Sequence, residues 1–243
     1  MNKPNLHNGH GVVSDLTVSI AQRLAKTLVE GRYQEKEVFK DNAQSYVARV
    51  EAAGMDCMVK IPRARNRRIW QRFLSLFRES EALQYYNSMQ TLRGMNFGCP
   101  APLIAVEKRR AWRVATHSLF AYQYVEGRKC TESDAAVILP ELLRLHEKGY
   151  LRGDPHKKNY LISNNAVVFI DARIRQPKLF RKLQMHRELA VFLNTSPGGI
   201  HHVPAEIKHS ASFRTAWTID RIMRYIRHSR RRITGQCQSR PNK

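Results

Sequence analysis

The 243 residues carry 42 Lys and Arg against 20 Asp and Glu, a formal net charge of +22, and 42% are hydrophobic, enough for one large domain or two closely joined lobes. Four widely spaced cysteines, Cys57, Cys99, Cys130 and Cys237, form no CxxC pair; neither a zinc ribbon nor a thioredoxin-like site is supported, and a chain this long needs no disulfide scaffold. No apolar run approaches the roughly 20 residues that span a bilayer and the first residues lack a charged-then-apolar leader, so a cytoplasmic protein is expected.

The chain divides by pattern into an N-terminal extension with a helix over 1–33, a sheet-rich segment over 34–125, a mainly helical segment over 126–232 and a basic tail over 233–243. EVFKD, SYVARVEA and DCMVKIP read as three short strands with turns at 41–44 and near Gly54, and Tyr46, Ala48 and Val50 alternate as one buried face. Residues 65–93 lack Pro and Gly, with Trp70, Phe73, Leu74, Phe77 and Tyr85 at helical spacing, which predicts a long helix. Gly94, Gly98, Pro100 and Pro102 end it. PLIAVEK and SLFAYQYVEG follow as strands. Val137, Ile138, Leu142, Leu143 and Leu145 then recur at helical intervals before the loop KGYLRGDPHKKN, the strands NYLIS and AVVFID, and a helical remainder broken by SPGG.

The chemistry is concentrated in LHEKGYLRGDPHKKNYLISNNAVVFIDAR, where Asp154 follows a helix, Asn159 comes five residues later and Asp171 ends the next strand. Phosphoryl transfer leaves a protein little covalent work. It needs ligands for the metal ions on the phosphates and a carboxylate orienting the attacking hydroxyl, and two acids and an amide supply these. An isolated D-x-x-x-x-N is weak, since Asp and Asn also serve turns; the order of an upstream strand lysine, a helix glutamate, an interlobe strand and a downstream Asp strengthens it.

RGDPHKKN and FIDA resemble the catalytic loop and metal-binding turn of the protein-kinase-like superfamily. The resemblance implies an α+β, two-lobed kinase fold: a small antiparallel-sheet lobe with one long helix, then a mainly helical lobe. It implies ATP and Mg2+ as cofactors, Asp154 as base or orienting carboxylate, and Asn159 and Asp171 as metal ligands. His156 stands where small-molecule kinases of this superfamily often carry histidine, and it or Arg152 would steady the loop or the substrate. Lys60, in MVKIP, would bind the α- and β-phosphates and pair with a helix glutamate. Glu79 and Glu81 both qualify; Glu81 continues the Leu74 and Phe77 face. Tyr122, Gln123 and Val125 would line the adenine site. Two departures stand out: KDNAQS has no glycine where protein kinases have GxGxxG, and Asp171-Ala172-Arg173 replaces Asp-Phe-Gly.

EVFKDNAQSYVARV, the MVKIPRARNRRIWQRFL run, YQYVEG and GDPHKKNYLI together resemble the bacterial lipopolysaccharide core heptose kinases, with the second heptose as the closer match. That implies a lipid-linked core oligosaccharide as acceptor and an enzyme working at the cytoplasmic face of the inner membrane. Charge agrees. Seven basic residues and no acid lie from Lys60 to Arg78, and ten against two acids from His202 to Lys243, enough for reversible docking to an anionic bilayer at about 1 kcal/mol each. Arg221, Arg224, His228 and Arg231 fall on one helical face, with Ile222, Tyr225 and Ile226 turned elsewhere. The alternatives are a small atypical serine/threonine protein kinase, which would use the same catalytic residues, and a non-catalytic basic protein binding nucleic acid. The first lacks an APE-like peptide platform; the second lacks aromatic interleaving and any nucleic-acid-binding signature.

Overall fold

The computed structural model describes residues 5–6, 10–63, 79–109 and 115–233. Contacts divide the chain into two compact units, one of residues 1–128 with 161–173, the other of residues 129–160 with 174–243.

The first unit is organised by strand parity. Strands β1 (Asn5–Leu6), β2 (His10–Val13), β3 (Gln34–Asp41), β4 (Ser45–Ala52), β5 (Met55–Pro62), β6 (Pro102–Arg109) and β7 (Ala115–Gln123) form an antiparallel sheet in the order β1-β2-β6-β7-β5-β4-β3. Successive side chains of a strand alternate between faces, so Tyr46, Ala48, Val50 and Ala52 share one face with Cys57 and Val59. Helix α1 (Val18–Val29) covers that face with Leu24, Ala25 and Leu28. Met58, Phe120 and Tyr122 point the other way and pack under helix α2 (Glu81–Gly94), through Ala82, Leu83, Tyr85, Tyr86 and Met89. Lys60, two residues beyond Met58, belongs to this second face.

Helix α2 begins at Glu81 because Ser80 caps it, its hydroxyl accepting from Leu83 N at 3.2 Å. Of the helix expected over 65–93, the described residues show the part from Glu81 onward, with 79–80 outside it; the first part, with Trp70, Phe73, Leu74 and Phe77, lies outside the described residues.

A second sheet, in the order β10-β9-β8, joins β8 (Arg128–Lys129), β9 (Tyr160–Ser163) and β10 (Ala166–Phe169). Gly98 fixes where β10 runs. A Cβ there would lie 2.3 Å from the Val167 carbonyl oxygen, and the Gly98 carbonyl accepts from Phe169 N at 2.8 Å. Only glycine admits this approach.

In the second unit, helix α3 (Ala135–Glu147) buries Ile138, Leu139, Leu142 and Leu145. Helix α4 (Arg181–Thr195) lies against α6 (Ala211–Ile233), and the single turn α5 (Ala205–Lys208) precedes α6. His186 stacks edge-on against Phe213 at 6.0 Å and its Nδ1 meets Ser212 Oγ at 2.8 Å. Among the described residues no helix is long and apolar enough to cross a membrane.

Candidate active site

In the first unit, Lys60 and Asp171 meet although 111 positions separate them. Lys60 is carried by β5 between Val47 of β4 and Phe120 of β7. Its ammonium donates to Tyr85 Oη at 2.9 Å, ion-pairs with Asp171 and lies 4.2 Å from the centre of the Tyr85 ring. The lysine side chain is 13% exposed and the carboxylate 41%, so the pair is half-desolvated and open on the acid's side. Asp171 follows β10 in a left-handed conformation, φ 51°, which Asp tolerates better than most residues. Burial, reinforced by Asp171, drives the Tyr85 phenol far above its ordinary range; it remains a neutral hydrogen-bonding post between cation and anion.

Glu81, in the first turn of α2, accepts from Arg173 Nη1 at 3.4 Å, and the same guanidinium stands 5.5 Å from the Tyr85 ring centre. Glu79 precedes the helix, is exposed and accepts from Asn87 at 3.2 Å. Tyr122 is buried against Phe120 at 5.4 Å, and burial raises its phenol well above normal. Gln123 is exposed and its N–H donates to Ala101 O at 2.9 Å; Tyr124 N–H donates to Asp56 O at 3.3 Å. Val125 comes next in the chain, half-buried, beyond the end of β7.

In the second unit, the loop 152–159 is built around two anchors. Arg152 is completely buried and its Nη2 donates to Asn159 O at 3.1 Å. Glu188 of α4, also buried, accepts from Arg152 N at 2.8 Å and Gly153 N at 2.6 Å, and its Oε2 lies 2.8 Å from His146 Nε2. Gly153 takes φ 88°, a turn that presents Asp154 outward. Asn159 Nδ2 then donates to Asp154 O at 3.0 Å and Oδ2 at 2.9 Å, leaving its Oδ1 as the oxygen for a cation. His156 Nε2 lies 3.5 Å from Asp154 Oδ1.

The family model described as Lipopolysaccharide core biosynthesis protein (WaaY) matches residues 33–195, two thirds of the chain. The chain belongs to this family. Among solved structures it is similar to "WaaP in complex with acyl carrier protein", with 15% identity, a TM-score of 0.52, and coverage of 76% of this chain and 80% of that one; at that identity the likeness shows the kinase-like fold. No curated protein matches. This WaaY-family member is a kinase of the lipopolysaccharide core, a phosphotransferase with a heptose hydroxyl as acceptor.

Sequence reasoning missed four residues: Tyr85 and Arg173 beside Lys60 and Glu81 in the first unit, and Glu188 and His146 beneath the 152–154 turn in the second. Tyr85 was assigned only to the helix face and Arg173 only to a departure from Asp-Phe-Gly. Glu188 left a usable signal, because Met185, Glu188, Leu189 and Phe192 share a helical stripe and an acid on an apolar stripe needs buried partners.

Proposed function

We propose that the protein transfers the terminal phosphoryl group of ATP, with Mg2+, to a hydroxyl of the second heptose of the inner core, while that glycolipid is still at the cytoplasmic face of the inner membrane. The observation that carries this is the Lys60–Asp171 pair, which puts a strand lysine and a strand-end carboxylate on each other across 111 positions. In this reading Lys60 neutralises the α- and β-phosphates with Glu81 as its acidic neighbour, and Arg173 and Tyr85 hold Glu81 and Lys60 in place. The adenine is read at Tyr122 to Val125, where the Val125 N–H is the donor, since those of Gln123 and Tyr124 are already bonded. Asp171 of the first unit and Asn159 of the second are the residues that would hold Mg2+, which would supply charge neutralisation at the phosphates. Asp154 orients the acceptor hydroxyl and takes its proton, with His156 beside it. The acceptor is lipid-linked, and the protein reaches it by peripheral contact with the anionic membrane face.

Mass spectrometry of cores from cells with and without the gene tests the reading. The expected result is a core short of one phosphate, restored by the wild type and not by Asp154→Ala. Identical cores would overturn it.

A further inference from the structure

Helix α6 outruns its support. Ser212 meets His186 and Asp220 meets Asn194, so α4 and α6 advance in the same direction, and α4 ends at Thr195 while α6 continues to Ile233. Past Asp220 the helix therefore extends about 20 Å more at 1.5 Å per residue. Phe213, Ala216 and Asp220 form its buried face. At 100° per residue, Ile222, Tyr225 and Ile226 fall opposite, and they are 53%, 75% and 40% exposed.

The charges around this apolar patch have one sign. Arg221 is exposed at the edge of the patch, and from Arg221 to Lys243 the sequence contains no acid. Arg224 differs from the free cationic face expected of it: its Nε is held by Asp220 at 3.0 Å, Arg227 Nη2 lies 4.0 Å from the same carboxylate, and Asp220 is 1% exposed. The nearest acid is thus sealed under the helix, while His228 and Arg231 have side chains outside the described residues. An apolar strip with a cationic edge at the start of an acid-free basic segment is the pattern of a helix lying in a bilayer interface, where the tyrosine ring also fits.

We propose that residues 221–233 of α6 dock flat on an anionic bilayer, with Ile222, Tyr225 and Ile226 at the acyl boundary and Arg221 on lipid phosphate. This rests on the lipid-linked acceptor above and adds the surface that meets the membrane. Nucleic acid fits less well, because Tyr225 is a single ring and the isoleucines beside it offer no further face on which successive bases stack. An acidic partner protein is the competing occupant.

The test uses the full chain and vesicles of phosphatidylcholine with or without phosphatidylglycerol. The wild type should sediment with the anionic vesicles only, and each exposed arginine contributes about fivefold to that partition. Ile222→Ser with Ile226→Ser, and separately Arg221→Glu, should each lower it about tenfold or more. Both variants should keep the wild-type circular dichroism and the wild-type rate on lipid-free core oligosaccharide. Unchanged partition in both variants, equal binding to neutral vesicles, or a face that binds an acidic carrier protein while ignoring vesicles would overturn the proposal. No turnover of the lipid-free core by wild type counts against the kinase reading, and sedimentation then judges the docking by itself.

Discussion

Glu188 holds the 152–154 turn by accepting two backbone N–H groups while facing His146, all three contacts within 2.8 Å. Glu188→Gln keeps the shape but turns one acceptor into a donor, which leaves one N–H unmatched at a cost of about 1–3 kcal/mol. The expected result is a kcat lower by about ten- to a hundredfold, with the KM for ATP little changed, because Lys60 and Asp171 are held by separate contacts in the first unit. Steady-state kinetics alongside thermal melting separates the two effects. A KM that rises with kcat intact would place Glu188 in nucleotide binding instead. Asp154 could be named from its spacing to Asn159 because loop motifs are local. The buried acid beneath it could not, since 35 positions separate it from Gly153.

At the scale of elements, Gly98 decides where β10 runs and hence where its continuation presents Asp171. Gly98→Ala would drive a methyl against the Val167 carbonyl, backbone that cannot swing away as a side chain can. We expect about 1–3 kcal/mol of lost stability and a larger loss of phosphoryl transfer. Gly94→Ala, where nothing stands within 4 Å of the added carbon, is the matched control and should be near neutral. Equal melting temperatures for the two variants would contradict this. The strands were legible because alternation is local: SYVARVEA buries every second residue along β4. The start of α2 was not, because the apolar spacing runs past Ser80 while the hydroxyl cap on Leu83 N breaks the backbone pattern.

Across the whole molecule, the net charge of +22 penalises further protonation. Burial lowers the pKa of His186, helped by His146 and Lys182, and lowers that of His10, helped by Lys108 and His117. A histidine with a lowered folded value binds its proton more readily when unfolded. The stability it contributes is therefore complete above the unfolded value, about 6.5, and is lost as pH falls below it. Melting temperature should hold from pH 8 to 7 and decline by several degrees toward pH 5.5, and His186→Gln should flatten part of the decline. A melting temperature that rises on acidification would contradict the argument.

Sequence alone determined the alternating strands, the apolar helix stripes, the spacing of Asp154, Asn159 and Asp171, and the cationic C-terminal run, because each depends on residues a few positions apart. Only the tertiary structure decided that Lys60 meets Asp171 over Tyr85, that Arg173 takes Glu81, that Glu188 fastens the loop, and that Arg224 is tied down while Ile222 and Tyr225 stand exposed. Those outcomes depend on which faces the packing covers, and a residue's covering neighbours come from chain segments that no local pattern specifies.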